Sequence, residues 1–224
     1  MNDSFNLESA VEFAENPEPR CPCVLLLDTS GSMEGEPLAA LHEGLRAFQS
    51  DLRRDSLAAR RVEVAVMTFD DHVSLAQNFV TVDRFEPPVF TAGGHTCMAT
   101  AILEALELVK TRKDLYRRNG VAYYRPWIFL ITDGEPDEPE SLIAQAAARL
   151  RQEERENKVI FFAVGVGEAN MERLAQIVCR TPVKLEGLNF VDMFVWLSRS
   201  MENAAQSGTD EQIALPSPRA FPLR

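Results

Sequence analysis

Asp28, Ser30 and Ser32 recur at a spacing of two in the run Asp28-Thr29-Ser30-Gly31-Ser32-Met33. In a nearly extended chain, residues i, i+2 and i+4 project the same way, which gathers one carboxylate and two hydroxyls on one small site. Gly31 leaves the backbone free to turn. Two further stretches carry similar atoms, Thr91-Ala92-Gly93-Gly94-His95-Thr96 and Thr132-Asp133-Gly134-Glu135. Oxygen-only donors suit a hard cation, and a small octahedral ion such as Mg²⁺ keeps waters beside a few such ligands. Taken alone, Asp-x-Ser-x-Ser reads as a helix-capping loop, because Asp and Ser are favoured there. Three oxygen-rich loops, two of them hinged on glycine, favour a cation site, with Thr96 and Asp133 completing the donor set.

Such loops need a scaffold that brings them to one place. Cys23–Leu27 is a continuous apolar run. Leu38, Leu41, Leu45, Phe48 and Leu52 follow at spacings that trace one helix face, and Pro37 suits a first helical turn. Val62–Phe69 and Val73–Val80 flank Asp70-Asp71 as a hairpin. Ile102, Leu106 and Val109 mark a second helix, Trp127–Ile131 a buried strand, and Leu142, Ala146 and Leu150 a third helix. Val159–Val166 reads as a strand, Leu174, Ile177 and Val178 as a short helix, and Val183–Leu185 as a brief strand. Phe190, Met193, Phe194, Leu197 and Met201 mark a last helix. The order β-α-β-β-α-β-α-β-α-β-α predicts a doubly wound α/β fold: a mainly parallel sheet with one antiparallel edge strand and helices on both faces. Ligands of such sheets bind beyond the C-terminal strand ends. All three oxygen-rich loops fall on that edge.

Composition narrows the class. The chain has 224 residues, 46% of them hydrophobic, which excludes a chain disordered throughout. We expect one domain over residues 21–204, between polar end segments at 1–20 and 205–224; the second holds Pro216, Pro218 and Pro222. Lys plus Arg number 23 against 34 Asp plus Glu, a net charge of −11 that argues against a nucleic-acid partner. Four cysteines are too few for a disulfide scaffold. The first residues lack the basic-then-apolar pattern of a signal peptide, and no apolar stretch approaches the ~20 residues of a membrane helix. A soluble, cytoplasmic protein with no membrane partner is the expectation.

At the level of motifs, Asp28-x-Ser30-x-Ser32, Thr96 in Gly-Gly-x-Thr and Asp133 in Thr-Asp-Gly resemble the metal-ion-dependent adhesion site of von Willebrand factor A-type (VWA) domains. The resemblance runs from about Pro22 to about Met201. The blocks CPCVLLLDTSGSM and YYRPWIFLITDGEP are similar to small stand-alone bacterial VWA proteins associated with tellurium resistance (TerY-like). The resemblance implies Ser30, Ser32 and Thr96 as metal ligands, with Asp28 and Asp133 binding directly or through water. It implies Mg²⁺, with Mn²⁺ or Ca²⁺ as alternatives, and a protein partner that lends a Glu or Asp to the metal. It also implies a place in a bacterial stress or tellurium-resistance system beside a kinase, phosphatase or other operon-encoded partner. Its acidic surface attracts an acidic partner poorly at long range, so the cation must supply a local positive spot or the partner a basic rim.

Other chemistries are weighed against this one. Metal with hydroxyls and carboxylates also suits phosphoryl transfer or hydrolysis, with Asp28 as acceptor and His95 as base. No G-x-x-x-x-G-K-[ST] is present, however, and Ser30 is not in G-x-S-x-G. We therefore expect binding rather than catalysis, with His95 in a loop or rim role. Gly165-Val166-Gly167-Glu168-Ala169-Asn170 lacks the third glycine of a dinucleotide fingerprint and reads as a tight strand-to-helix turn. A zinc set of Cys21, Cys23, His95 and Cys97 would straddle the length of a strand, far more than a coordination sphere. Arg125 is a candidate to pair with a carboxylate, and Met33 and Met98 suit either an apolar rim or the core. Glu135, Asp137, Glu138 and Glu140 are expected to open a helix after Pro136, with a rim role at the metal site, just beyond Asp133, as the lesser alternative.

Overall fold

The computed structural model describes residues 12–207; residues 1–11 and 208–224, which hold most of both polar end segments, lie outside the described residues. Strand β1 (Cys21–Asp28) is buried at every position. That is the signature of a strand covered on both faces, and it explains why its sequence is apolar without alternation. It pairs in parallel with β2 (Val62–Phe69) on one side and β4 (Trp127–Thr132) on the other. The sheet runs β3-β2-β1-β4-β5-β6, with β3 (Val73–Thr81), β5 (Ile160–Gly165) and β6 (Val183–Lys184). Only the β2–β3 hairpin is antiparallel among the described strands, and β3 lies at the edge. This is the fold expected from the sequence.

Helices lie on both faces of the sheet among the described residues: α1 (Glu36–Leu52), α2 (Ser56–Arg61), α3 (Met98–Arg118), α4 (Glu140–Arg155), α5 (Met171–Ile177) and α6 (Phe190–Gln206). Alternation along β1 splits the core in two. Cys23, Leu25 and Leu27 pack with α1 and α6, whereas Val24 and Leu26 pack with α3, α4 and α5. Helix α2 was not expected. Six residues are too few to show a period, and the helix is set up locally by Asp55, whose side chain accepts from the amides of Leu57 and Ala58. Helix α6 runs on to Gln206, past its last periodic residue, Met201.

Helices α1 and α6 approach closely at Gly44. A Cβ there would sit 2.6 Å from Phe194 Cδ2 and 2.8 Å from Phe190 Cβ. Alanine is the better helix former by about 1 kcal/mol, but forcing atoms into a packed core costs about 1–3 kcal/mol. Gly44→Ala is therefore expected to lower the melting temperature by several degrees, and a rise would show that the two helices can separate freely.

Candidate metal site

The register of β1 on β4 builds the centre of the site. Leu27 lies opposite Ile131, so Asp28 and Thr132 leave the sheet side by side. Thr132 Oγ1 donates to Asp28 Oδ2 at 2.5 Å, and the Ser30 amide donates to Asp28 Oδ1 at 2.8 Å. Ser30 is extended (φ −62°, ψ 168°), which keeps the two-residue spacing productive before Gly31–Met33 tightens into a 3-10 turn. Ser30 Oγ and Ser32 Oγ stand 3.2 Å apart, and Ser32 Oγ donates to Asp133 Oδ1 at 2.7 Å.

Backbone bonds tie the middle loop to the first. Gly31 N donates to Gly94 O at 3.1 Å, and Gly93 N donates to Thr29 O at 2.8 Å. Asp137 fixes Thr96 from the third loop: its Oδ2 accepts from Thr96 N at 3.1 Å while its own amide donates to Thr96 O at 3.0 Å. Gly134 marks how near Thr96 comes to Asp28. A Cβ built there would lie 3.2 Å from Thr96 Oγ1 and 3.9 Å from Asp28 Oδ2. The structure thus brings together Asp28, Ser30, Ser32, Thr96 and Asp133, the five positions singled out in the sequence. Asp28, Ser30 and Thr96 are buried, Asp133 is half-buried and Ser32 is exposed.

Burial dominates the electrostatics. It pushes the Asp28 carboxyl up to about 6, against the opposing pull of its hydrogen bonds from Ser30 and Thr132; the Asp133 charge adds a smaller push upward. Thr132 is the participant sequence reasoning missed. Its signal was positional, a polar residue closing the strand that neighbours β1.

The acidic stretch after Asp133 behaves differently from expectation. Helix α4 begins at Glu140 with Pro139 as its N-cap, not directly after Pro136. Asp137 is occupied with Thr96, and Glu138 accepts from Ala99 N, Thr100 N and Thr100 Oγ1, so it caps α3 from outside. The competing readings resolve likewise. Asn170 accepts from Arg173 N and simply caps α5. Cys21 and Cys23 are buried at the far end of β1 from Asp28. Met33 and Met98 belong to the core. His95 is exposed, with Nδ1 3.6 Å from Asp137 Oδ2.

The donor set fits a hard divalent cation. It offers three hydroxyls and two carboxylates, one of them buried with both oxygens already fixed by protein donors. Among the described residues no group of three or more His, Cys, Asp or Glu gathers as a metal cluster; the convergence at this edge is hydroxyl-rich. Gly134→Ala tests the packing, because the new methyl would press on Thr96 Oγ1. The expected result is Mg²⁺ affinity several-fold weaker with an unchanged melting temperature in EDTA. Equal affinity would separate Thr96 from the site.

A doubly wound sheet with hydroxyls and carboxylates converging on its C-terminal edge defines a class of α/β ligand-binding domain. Residues 23–193, most of the chain, match the von Willebrand factor type A domain, and the chain belongs to that family. Domains of this family are commonly metal-dependent adhesion or interaction modules. Among curated proteins no sequence matches the chain. Solved structures share the fold at low identity. The vWF domain of the pilus tip protein Mfa5 from Porphyromonas gingivalis is 10% identical with a TM-score of 0.61, over 85% of this chain and 98% of that one. BatB from Bacteroides thetaiotaomicron is 16% identical with a TM-score of 0.55, over 84% of this chain and all of that one. Proximal thread matrix protein 1 from the mussel byssus, in a structure with a zinc-occupied MIDAS motif, is 15% identical with a TM-score of 0.56, over 83% of this chain and 48% of that one. The chain spans about half the length of the byssus proteins it matches.

Proposed function

We propose that this chain is a metal-dependent protein–protein interaction module that takes an acidic side chain of its partner through Mg²⁺ held by Asp28, Ser30, Ser32, Thr96 and Asp133. Mn²⁺ and Ca²⁺ are the alternative ions. One observation carries the reading: Asp28 is buried with both oxygens bonded within the protein, while Ser30, Ser32 and Asp133 form a hydrogen-bonded row beside it. When bound, the ion supplies an electrophilic point for a carboxylate oxygen, because few charged ligands leave its charge incompletely neutralised. The chain's own residues do the positioning. Thr132 and the Ser30 amide orient Asp28, Asp137 holds Thr96 in place, and exposed Ser32 stands at the solvent side.

The proposed work is binding, not turnover. The two sequence blocks similar to tellurium-resistance-associated proteins extend the proposal to a cytoplasmic role in a bacterial stress or tellurium-resistance system, with an operon-encoded kinase or phosphatase as the kind of partner. The test is affinity capture with wild type in Mg²⁺, wild type in EDTA, and Asp28→Ala in Mg²⁺. A partner retained only in the first arm supports the reading, and capture that persists in EDTA sinks it. Metal-dependent phosphoester turnover that vanishes in His95→Ala would instead establish an enzyme.

A further inference from the structure

At the opposite end of the sheet from Asp28, a cavity of about 690 Å³ opens between the C-terminal ends of α4 and α5 and the segment entering β4. Four arginines line it, Arg125, Arg151, Arg155 and Arg180, together with Glu154 and apolar Val178. Such a concentration of positive charge is unexpected on a chain of net charge −11. The Glu154 carboxylate is half used: its Oε1 accepts from Arg180 Nε at 3.1 Å and from the Phe161 amide at 3.2 Å, while its Oε2 is buried without a hydrogen-bond partner.

The other three guanidiniums hydrogen-bond only to neutral backbone oxygens among the described residues. Arg125 Nη2 donates to the backbone oxygen of Glu154 at 3.1 Å, and Arg151 Nη2 to that of Gln176 at 2.5 Å. Arg155 Nε donates to the backbone oxygen of Arg151 at 3.3 Å. Among the described residues none of the three makes an ion pair. Arg125, the side chain the sequence suggested could pair with a carboxylate, hydrogen-bonds to none, although the Glu154 charge acts on it, and its Nε is buried without a hydrogen-bond partner. A guanidinium carries five N–H donors, so most of this donor capacity is unspent. Complementing a helix C-terminus accounts for Arg151 and Arg155 on α4. It also accounts for the bond from Arg125 Nη2 to a last-turn carbonyl of α4, but not for the buried Arg125 Nε, nor for Arg180, which reaches the cavity from beyond α5 and pairs with Glu154.

We propose that this cavity binds a small molecule carrying a phosphate or pyrophosphate group. The cavity is an open cleft whose volume lies in the range of small-ligand sites. Guanidinium forks match the paired oxygens of a phosphate, and two or more of them balance its double charge. The ligand class is the same whether the phosphate is inorganic or esterified, and the two sources are separable by experiment.

The test is calorimetric titration of the full chain with inorganic pyrophosphate and, separately, with a nucleoside diphosphate. Both are run in EDTA, so that no metal draws phosphate to the other end of the sheet. Saturable binding is expected, weakened about tenfold or more in Arg125→Gln and in the exposed Arg155→Gln, and unchanged in Asp28→Ala. Equal affinity for both probes assigns recognition to the phosphates alone, and tighter nucleotide binding adds the apolar wall. If Arg125→Gln does not fold, Arg155→Gln carries the comparison. Absence of saturable binding by either probe, an unchanged affinity in the arginine variants, or a loss in Asp28→Ala would overturn the proposal.

Discussion

Asp28→Asn should remove most of the Mg²⁺-dependent stabilisation of this protein while leaving it folded. Asn keeps the shape and can still accept from the Ser30 amide, and Thr132 Oγ1 can turn its hydroxyl to accept from the new amide. What goes is one of only two carboxylates at the site. Residues that support a metal centre typically cost 10–100-fold in affinity when changed. Mg²⁺ at about a hundred times its dissociation constant stabilises a folded protein by about 2.7 kcal/mol, and a hundredfold loss of affinity leaves about 0.4 kcal/mol. At roughly 2–4 °C per kcal/mol for a chain of this size, the rise in melting temperature on adding Mg²⁺ should fall from several degrees to about one. A full Mg²⁺ response in the variant would remove Asp28 from the site.

The same substitution should act in the opposite direction without metal. Burial raises the Asp28 carboxyl from 3.8 to about 6, so the folded, metal-free chain binds this proton more tightly than the unfolded chain does. The sign follows: the ionised group opposes folding fully above about pH 6, and that opposition fades as pH falls towards 3.8. Its size is on the order of 1–3 kcal/mol. In EDTA at pH 7, Asp28→Asn should therefore melt no lower than wild type. Metal binding and metal-free stability thus pull on one residue with opposite signs, which a merely structural aspartate would not show.

How much of this was readable beforehand depends on how local the cause was. The parallel sheet was legible because β1 is buried on both faces, and burial on both faces leaves an uninterrupted apolar run. The antiparallel edge was legible because Asp70-Asp71 breaks two such runs at hairpin distance. The donor set was legible because its spacing of two survives in the structure as an extended Ser30. Thr132 was not, and Asp137 was legible only as a candidate rim residue and not as the group that holds Thr96, because each acts across loops distant in sequence and only the register of β1 on β4 and the path of residues 133–139 bring them in. Helix α2 failed for a different reason: a six-residue helix set by the Asp55 cap leaves no period to detect. Arg125 invited a carboxylate partner, yet its nearest acceptor is the backbone of Glu154 rather than its side chain, a distinction no sequence pattern encodes.

The largest expected loss of stability lies away from the site, at Glu63. Its carboxylate is fully buried at the N-terminal end of β2 and accepts from Arg20 Nε at 2.8 Å and from Arg112 Nε at 2.9 Å and Nη2 at 2.8 Å. It also accepts from the Tyr116 phenol, which burial, reinforced by the Glu63 charge, keeps protonated. Arg112 has a second carboxylate in Glu12 at 2.8 Å, but Arg20 otherwise meets the backbone oxygens of Glu18 and Asn16 and the face of the Phe13 ring, none of them charged. Glu63→Ala would leave Arg20 as a buried charge without a counterion. Breaking such a pair on one side costs about 3–5 kcal/mol, or on the order of 10 °C in melting temperature. Replacing both partners with apolar residues removes the stranded charge, so Arg20→Met with Glu63→Leu should recover much of the loss; no recovery would show that packing rather than charge is at stake. Glu63 pairs with Pro22, six residues along β1 from Asp28 and about 20 Å away. The weakened Glu63→Ala protein should therefore retain the Mg²⁺-dependent rise that Asp28→Asn loses, because the network that holds this end of the sheet together is separate from the oxygens gathered at the other.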